Sequence, residues 1–168
     1  MVDDDRARAR EVWAQVNEAF TDADGRDRWR DEAVAWGLFH IPEAVIGALG
    51  PAAGLDVVEL GCGTAYLSAQ LTRLGARAVA TDLSPDQLAT ARAAQLEHDL
   101  AFPLVEASAD DLPFADASFD LVVSEYGVAP WCDPARWVPE AARVLRPGGR
   151  LVFLTNSVLA ALCVPDEG

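Results

Sequence analysis

Short apolar runs alternate with amphipathic stretches from residue 55 onward. The runs predicted as strands cover residues 55–60, a segment ending at Asp82, and residues 102–107, 119–124 and 151–155. Between the first two runs, Leu67, Leu71 and Leu74 recur at the spacing of one helix face. Alternating strands and helices are typical of a parallel sheet with helices on its faces. The pattern therefore predicts an α/β fold with a doubly wound, mostly parallel sheet of five strands.

Two helices of this region have recognisable starts. Residues 84–87 (SPDQ) combine a hydroxyl cap, a proline at the first helical position and an amide three residues after the cap. Asp133-Pro134 begins another helix, which we expect to end at residues 146–149. The side chains expected to face inward from it are Val138, Ala141, Ala142 and Leu145.

The first fifty residues have a helical pattern instead. Residues 3–20 predict an amphipathic helix, residues 27–39 a second helix and residues 43–49 a short third one. The segment contains three tryptophans, whose large apolar side chains favour burial, so it is expected to pack on the sheet. We therefore predict an N-terminal helical cap over residues 1–50 and a Rossmann-like domain over residues 51–168.

Composition narrows the function classes. The net charge of −14 argues against a nucleic-acid partner, because phosphates require a basic surface. Cys62, Cys132 and Cys163 are odd in number and irregularly spaced, which favours neither a disulfide framework nor a metal site. The start MVDDD has the wrong charge for a signal peptide, and no apolar run reaches membrane-spanning length. We expect a cytoplasmic protein without a membrane segment.

A glycine-rich turn follows the first of the alternating strands. Gly61 and Gly63 let the backbone turn sharply and approach a ligand, although a plain tight turn would need the same residues. Glu59 is an acid inside an apolar strand, where an unpaired charge is costly. Asp82 follows Gly61 by 21 residues, about the interval at which an acid binds ribose hydroxyls. Together these features predict half of a nucleotide-binding unit.

The residues of the turn also favour one class of nucleotide. A dinucleotide site usually has a small residue at the third position of G-x-G-x-x-G, where this chain has Tyr66. A pyrophosphate also prefers a helix start without a nearby acid, whereas Glu59 precedes this turn. Both facts favour an adenosyl ligand without phosphates over a nicotinamide dinucleotide, so an oxidoreductase is the less favoured reading.

Four segments, ELGCGTAYLS, ATDLSPDQL, ADDLPFADASFDLVVS and LRPGGRLVFL, together resemble class I S-adenosylmethionine-dependent methyltransferases over residues 55–155. The resemblance implies S-adenosylmethionine as the cofactor and a small-molecule acceptor. It also implies a seven-stranded sheet, so we expect the last two strands to be missing and the domain to be C-terminally incomplete. The implied contacts are Glu59, Gly61, Cys62 and Gly63 with the methionine part, Asp82 with the ribose, Leu83, Ser108, Ala109 and Asp110 with the adenine, and Ser124 and Glu125 with the wall beneath the methyl group.

No catalytic base stands out. His40 and Tyr126 are the two candidates, each set against a plain packing role, and His98 is expected at the surface. Cys62 is expected to be a small packing residue rather than a nucleophile. Trp131 and Trp137 are expected in the core or in a pocket wall.

A second hypothesis is a non-catalytic nucleotide-binding or assembly module. The strand at residues 151–155 would form a long apolar edge, which is a liability for a free protein. A homodimer or a partner protein could cover this edge.

Overall fold

The computed structural model describes residues 24–157, together with Glu11. The helix predicted over residues 3–20 therefore lies outside the described residues, apart from that one position. Residues 24–50 form a helix, a two-stranded hairpin and a short helix. These elements are α1 (Asp24–Arg30), β1 (Ala35–Trp36), β2 (Ile41–Pro42) and α2 (Glu43–Ile46).

The second predicted helix, over residues 27–39, is wrong. The helix ends at Arg30, and Trp36 pairs with Ile41 in an antiparallel hairpin. The backbone of this hairpin finds its partners in the main domain, because the Gly37 N–H donates to Glu125 Oε1 at 2.6 Å. Trp29 and Trp36 are both buried, but in different clusters of the core. Tertiary contacts therefore override the helical periodicity.

A five-stranded parallel sheet forms the centre of the molecule, as predicted. Its strands are β3 (Asp56–Leu60), β4 (Arg77–Asp82), β5 (Leu104–Glu106), β6 (Phe119–Glu125) and β7 (Leu145–Leu154). The strands lie in the order β5-β4-β3-β6-β7. The strand order therefore reverses between β3 and β6, which is the place where ligands bind in open α/β sheets.

Helices cover both faces of this sheet, which confirms the doubly wound architecture. They are α3 (Tyr66–Arg73), α4 (Pro85–Glu97) and α5 (Pro134–Val144). On one face, Leu67 and Leu71 of α3 pack with Val57, whereas Leu74 is half-exposed at the end of that helix. The predicted cap of α4 is confirmed, because the Gln87 N–H donates to Ser84 Oγ at 3.4 Å.

Helix α5 covers the other face with a register that differs from the prediction. It begins after Asp133 as expected, but Val138 and Ala142 are exposed. Ala141 faces the core as predicted, together with Trp137 and Val144, and Leu145 is half-buried against the same cluster. The inward stripe is therefore centred on Trp137, Ala141 and Val144, in the cluster that contains Val58 and Val122.

Strand β7 starts earlier than predicted. Leu145 pairs with Phe119, and regular pairing resumes only at Arg150, so residues 146–149 form a bulge rather than a helix end. Within the described residues, β7 pairs only with β6 and lies at the edge of the sheet. Phe153 on this strand is 46% exposed.

Candidate active site

A cavity of about 290 Å³ opens at the carboxyl ends of β3, β4 and β6. The fold explains its position, because the strand order reverses between β3 and β6, and β4 lies next to β3. Most of the residues predicted from the sequence to bind a cofactor line it. They are Glu59, Gly61, Cys62, Gly63, Asp82, Leu83, Ser108, Ala109 and Glu125.

The glycine corner, residues 61–64, lines the cavity where the loop after β3 meets the loop after β6. Gly61 has a φ of 64°, and a Cβ on it would lie 2.6 Å from the carbonyl carbon of Gly127, which follows β6. A Cβ on Gly127 would in turn lie 2.5 Å from the carbonyl oxygen of Leu60. The two glycines are therefore required by the close approach of two backbones. The sequence pattern pointed to Gly61 but not to Gly127.

Asp82 lines the cavity at the end of β4, beside the glycine corner. One carboxylate oxygen accepts from the Gly63 N–H and the other from the Ser84 N–H, both at 2.8 Å. Burial raises the pKa of Asp82, and the hydrogen bonds from these backbone groups oppose the rise. A carboxylate has about four acceptor positions, so Asp82 can still accept a hydrogen bond from a ligand.

Glu59 is the most deeply buried acid of the site, with 3% of its surface exposed. Its Oε2 accepts from the backbone N–H of Ser68 at 2.9 Å and from the Ser68 hydroxyl at 2.6 Å. Burial raises the pKa of Glu59 to about 8, with Glu125 and Asp82 contributing through repulsion. The carboxyl is therefore mainly protonated near neutral pH.

Glu125 is held at the end of β6 by partners that the sequence analysis missed. Arg28 of α1 donates to both of its oxygens, at 3.2 and 3.1 Å, and the Tyr66 hydroxyl donates to Oε2 at 2.8 Å. Burial and the neighbouring Glu125 carboxylate raise the pKa of Tyr66. No local pattern predicts Arg28 as a partner, since it stands 97 residues before Glu125 in the chain.

Two predicted residues do not line the cavity. Asp110 turns toward α5, where it forms an ion pair with Arg136 at 2.7 Å and accepts from the Ser108 hydroxyl at 2.5 Å. Ser124 is buried under the turn after β6, with its Oγ accepting from the Val128 N–H at 3.2 Å. Asp110 and Ser124 therefore contact residues of the cavity wall, Ser108 and Val128, without lining the cavity themselves.

Only one of the two candidate catalytic residues lines the cavity. Tyr126 lines the cavity with a left-handed φ of 53°. His40 does not line it. Its Nδ1 lies 2.9 Å from Arg28 Nη1, in the loop of the hairpin rather than at a helix end. His98 is also not a plain surface residue, since its ring stacks on Trp29 with the centroids 5.4 Å apart.

The remaining side chains have mainly packing roles. Cys62 is buried, and burial raises the pKa of its thiol well above the usual value, which does not suit a nucleophile. Trp137 is in the core, whereas Trp131 lines the cavity and is half-exposed. Among the described residues, no group of side chains could hold a metal ion.

Gln87 provides a test of whether the cavity suits a polar ligand. This residue of α4 lines the cavity and is only 6% exposed. Its Oε1 is buried and has no hydrogen-bond partner among the described residues, and a Cβ placed on Gly63 would lie 3.6 Å from it. An unpaired buried polar atom is costly, so the site favours a ligand whose hydroxyl or amino group donates to this oxygen beside Gly63.

The fold and this site define a class of protein, and the comparisons with known proteins agree. Residues 58–153 match the methyltransferase domain family, and the chain belongs to that family. A demethylmenaquinone methyltransferase of Clavibacter sepedonicus is 40% identical over 110 residues, which are 66% of this chain and 44% of that protein. An uncharacterized methyltransferase of Mycobacterium tuberculosis is 38% identical over 133 residues, which are 79% of this chain and 48% of that protein.

Solved structures give the same class. The crystal structure of an S-adenosylmethionine-dependent methyltransferase from Mesorhizobium loti matches with a TM-score of 0.58 and 34% identity, covering 66% of this chain and 50% of that one. The chain therefore has the fold of S-adenosylmethionine-dependent methyltransferases, and it spans about half the length of these relatives. In residues 24–157, no helix is both long and apolar enough to cross a membrane.

Proposed function

We propose that this chain binds S-adenosylmethionine in the cavity and transfers its methyl group to a small-molecule acceptor. One observation carries the proposal. The Asp82 carboxylate is fixed by the backbone N–H groups of Gly63 and Ser84, so the acid and the glycine corner lie side by side in the same cavity. Membership of the methyltransferase domain family and the unpaired Gln87 oxygen support it.

The proposed contacts follow the lining of the cavity. Asp82 would accept hydrogen bonds from the ribose hydroxyls, and the glycine corner would meet the methionine part. Leu83, Ser108 and Ala109 would border the adenine. When bound, the cofactor supplies a sulfonium methyl group that is open to in-line attack by an electron-rich acceptor atom.

The protein's own residues would contribute position and exclusion of water rather than proton transfer. The oxygens of Glu125 already accept hydrogen bonds from Arg28, Tyr66 and the Gly37 N–H, which makes this carboxylate a poor base. Because the sulfonium is a strong electrophile, correct placement of the acceptor can supply much of the rate. A base is needed only for an acceptor that must lose a proton.

Tyr126 and Trp131 are the aromatic residues proposed to border the acceptor. Both line the cavity, and Trp131 reaches its exposed rim. The net charge of −14 supports a small acceptor over a nucleic acid. Demethylmenaquinone, which the Clavibacter relative is named for, is one small molecule to test as an acceptor.

Isothermal titration calorimetry with S-adenosylhomocysteine tests the proposal. We expect saturable binding to the full chain and a loss of at least about tenfold in affinity for Asp82→Asn, because charge-assisted hydrogen bonds are lost. Asp86→Asn is the matched control, since it removes the same charge from an exposed position four residues away. No binding to the folded chain, or equal losses in the two variants, would contradict the proposal.

A second candidate is an assembly module that uses the edge of β7. The half-exposed Phe153 on this strand favours it. Gel filtration distinguishes the two readings, because pairing through the edge requires a dimer or larger species, whereas a clean monomer contradicts it.

A further inference from the structure

Arg28 is a nearly buried cation that lies behind the wall of the cavity rather than in it. Its side chain is 11% exposed, and its Nη2 contacts both oxygens of Glu125. The guanidinium lies over the ring of Tyr66, with 4.4 Å from the central carbon to the ring centroid. The same Nη2 donates to the Ala35 carbonyl at 3.1 Å. One side chain thus ties α1, the hairpin, α3 and the end of β6 together.

The two partners of Arg28 both line the cavity. Glu125 has a side chain that is 2% exposed, and the Tyr66 hydroxyl donates to it from the first residue of α3. The direction of each side chain in the wall therefore depends on a cation that a ligand need not touch. Burial lowers the pKa of Arg28, but the attraction of Tyr66 and Glu125 outweighs this and raises it overall, so the cation is permanent.

The next residue of α1 contacts the glycine corner. The indole N–H of Trp29 donates to the Thr64 carbonyl at 2.7 Å. The Arg28 carbonyl accepts from the Gln70 side chain at 3.2 Å, which fixes α1 on α3. Two neighbouring residues of one short helix therefore hold residues that line the cavity at the glycine corner, at the start of α3 and at the end of β6.

We propose that Arg28 is a positioning residue of the donor site, which orients Glu125 and Tyr66 and thereby sets the shape of the cavity. This inference rests on the proposed function, since it assigns a role in the binding of the adenosyl ligand. The segment before the sheet is then part of the binding site and not only a cover for the core.

Removal of the cation has a definite consequence. Arg28→Gln leaves the Glu125 carboxylate buried without a cationic partner, which is the costly way to break a buried ion pair. The carboxylate then turns toward water, which disturbs the wall. We expect S-adenosylhomocysteine to bind the full-length Arg28→Gln variant at least about tenfold more weakly than the wild type in calorimetry.

Two further variants make the test specific. Arg30→Gln is the matched control, because Arg30 lies on the same helix in an exposed ion pair with Asp27 and should leave the affinity unchanged. The double variant Arg28→Gln/Glu125→Gln should recover most of the lost affinity. It replaces both charges by amides; the amide oxygen at position 125 can accept from the Gly37 N–H, while the amide NH2 can donate to the Tyr66 hydroxyl oxygen.

The double variant separates positioning from a simple loss of packing. The packing of the Arg28 side chain is lost equally in Arg28→Gln and in Arg28→Gln/Glu125→Gln, so a pure packing defect would leave both variants equally weak. If Arg28 acts by orienting the Glu125 carboxylate, only the single variant leaves a buried charge without its cation, and only the single variant should bind weakly.

Each outcome decides something. A wild type that does not bind S-adenosylhomocysteine overturns the proposed function itself. A wild type that binds, together with an Arg28→Gln variant of equal affinity or a double variant as weak as Arg28→Gln, overturns only the positioning role. If Arg28→Gln does not fold, Tyr66→Phe decides, because it removes one donor to Glu125 and keeps the ring beneath the guanidinium. A loss of a few-fold in affinity supports the role, and an unchanged affinity overturns it.

Discussion

Glu59 should make the stability of the protein fall as the pH rises above about 5. This carboxyl is buried in β3, and Ser68 is its hydrogen-bond donor. Burial raises its pKa from 4.5 to about 8. The folded protein therefore holds a proton that the unfolded chain releases. For an acid with a raised pKa, the stabilisation is complete below the unfolded value and is lost as the pH rises through the folded value.

The size of the effect follows from the shift. A rise from 4.5 to about 8 corresponds to about 5 kcal/mol between the two extremes of pH, since one pKa unit corresponds to about 1.4 kcal/mol. Glu59→Gln replaces the carboxyl by a neutral group of the same shape, whose oxygen can accept both hydrogen bonds from Ser68. The variant should match the wild type near pH 5 and exceed its stability by about 3 kcal/mol near pH 8.

Urea unfolding at about pH 5.5, 7 and 8.5 measures this difference. Glu32→Gln, at an exposed position, is the control and should follow the wild type at every pH. Asp56 and Asp120, whose pKa values are lowered by hydrogen bonds, contribute a small opposite slope, but it cancels in the comparison because both proteins contain them. Parallel curves for the wild type and Glu59→Gln would refute the argument.

Three further predictions concern the walls of the cavity. Gly127→Ala should lower the free energy of unfolding by at least about 2 kcal/mol in urea titrations, because its Cβ would meet the backbones of Leu60 and Gly61. Gly54→Ala has open space but a φ of 77°, so it shows the cost of backbone strain alone, about 1 kcal/mol. A cost for Gly127→Ala no greater than this would show that the loops separate easily. Gln87→Met should raise the melting temperature of the ligand-free protein by a few degrees and weaken S-adenosylhomocysteine binding. If Gln87 had a purely structural role, the melting temperature and the affinity would change in the same direction. Affinity for S-adenosylmethionine relative to S-adenosylhomocysteine should rise several-fold from about pH 6 to 8.5, because a sulfonium favours ionised Glu59; a flat calorimetric ratio would place Glu59 away from the charge.

Periodicity and local chemistry predicted the sheet domain well. The apolar runs correspond to the five strands, and the hydroxyl and proline before α4 correspond to its cap. Nine of the eleven residues proposed to bind a cofactor line one cavity. These features depend on neighbours in sequence or on the rule that parallel strands end at one edge of the sheet. Their roles in binding remain predictions.

The structure of the N-terminal segment could not be predicted from periodicity and local chemistry. Residues 27–39 have a helical stripe, yet the chain forms a hairpin because Arg28 and the Gly37 N–H find a better partner in Glu125, about ninety residues later. The same holds for Gly127, which no local pattern distinguishes from an ordinary turn glycine.

The sequence by itself determined the order of strands and helices along the chain, the position of the glycine corner and the acid at the end of β4, because each depends on short-range spacing. Only the tertiary structure decided the surroundings of the two buried carboxyls. Glu59 and Glu125 both lie beside the same cavity, but among the described residues Ser68 donates to Glu59, whereas the cation of Arg28 donates to Glu125. Burial raises the pKa of Glu59, and neither burial nor a cation 97 residues away can be read from the residues next to a carboxyl in the chain.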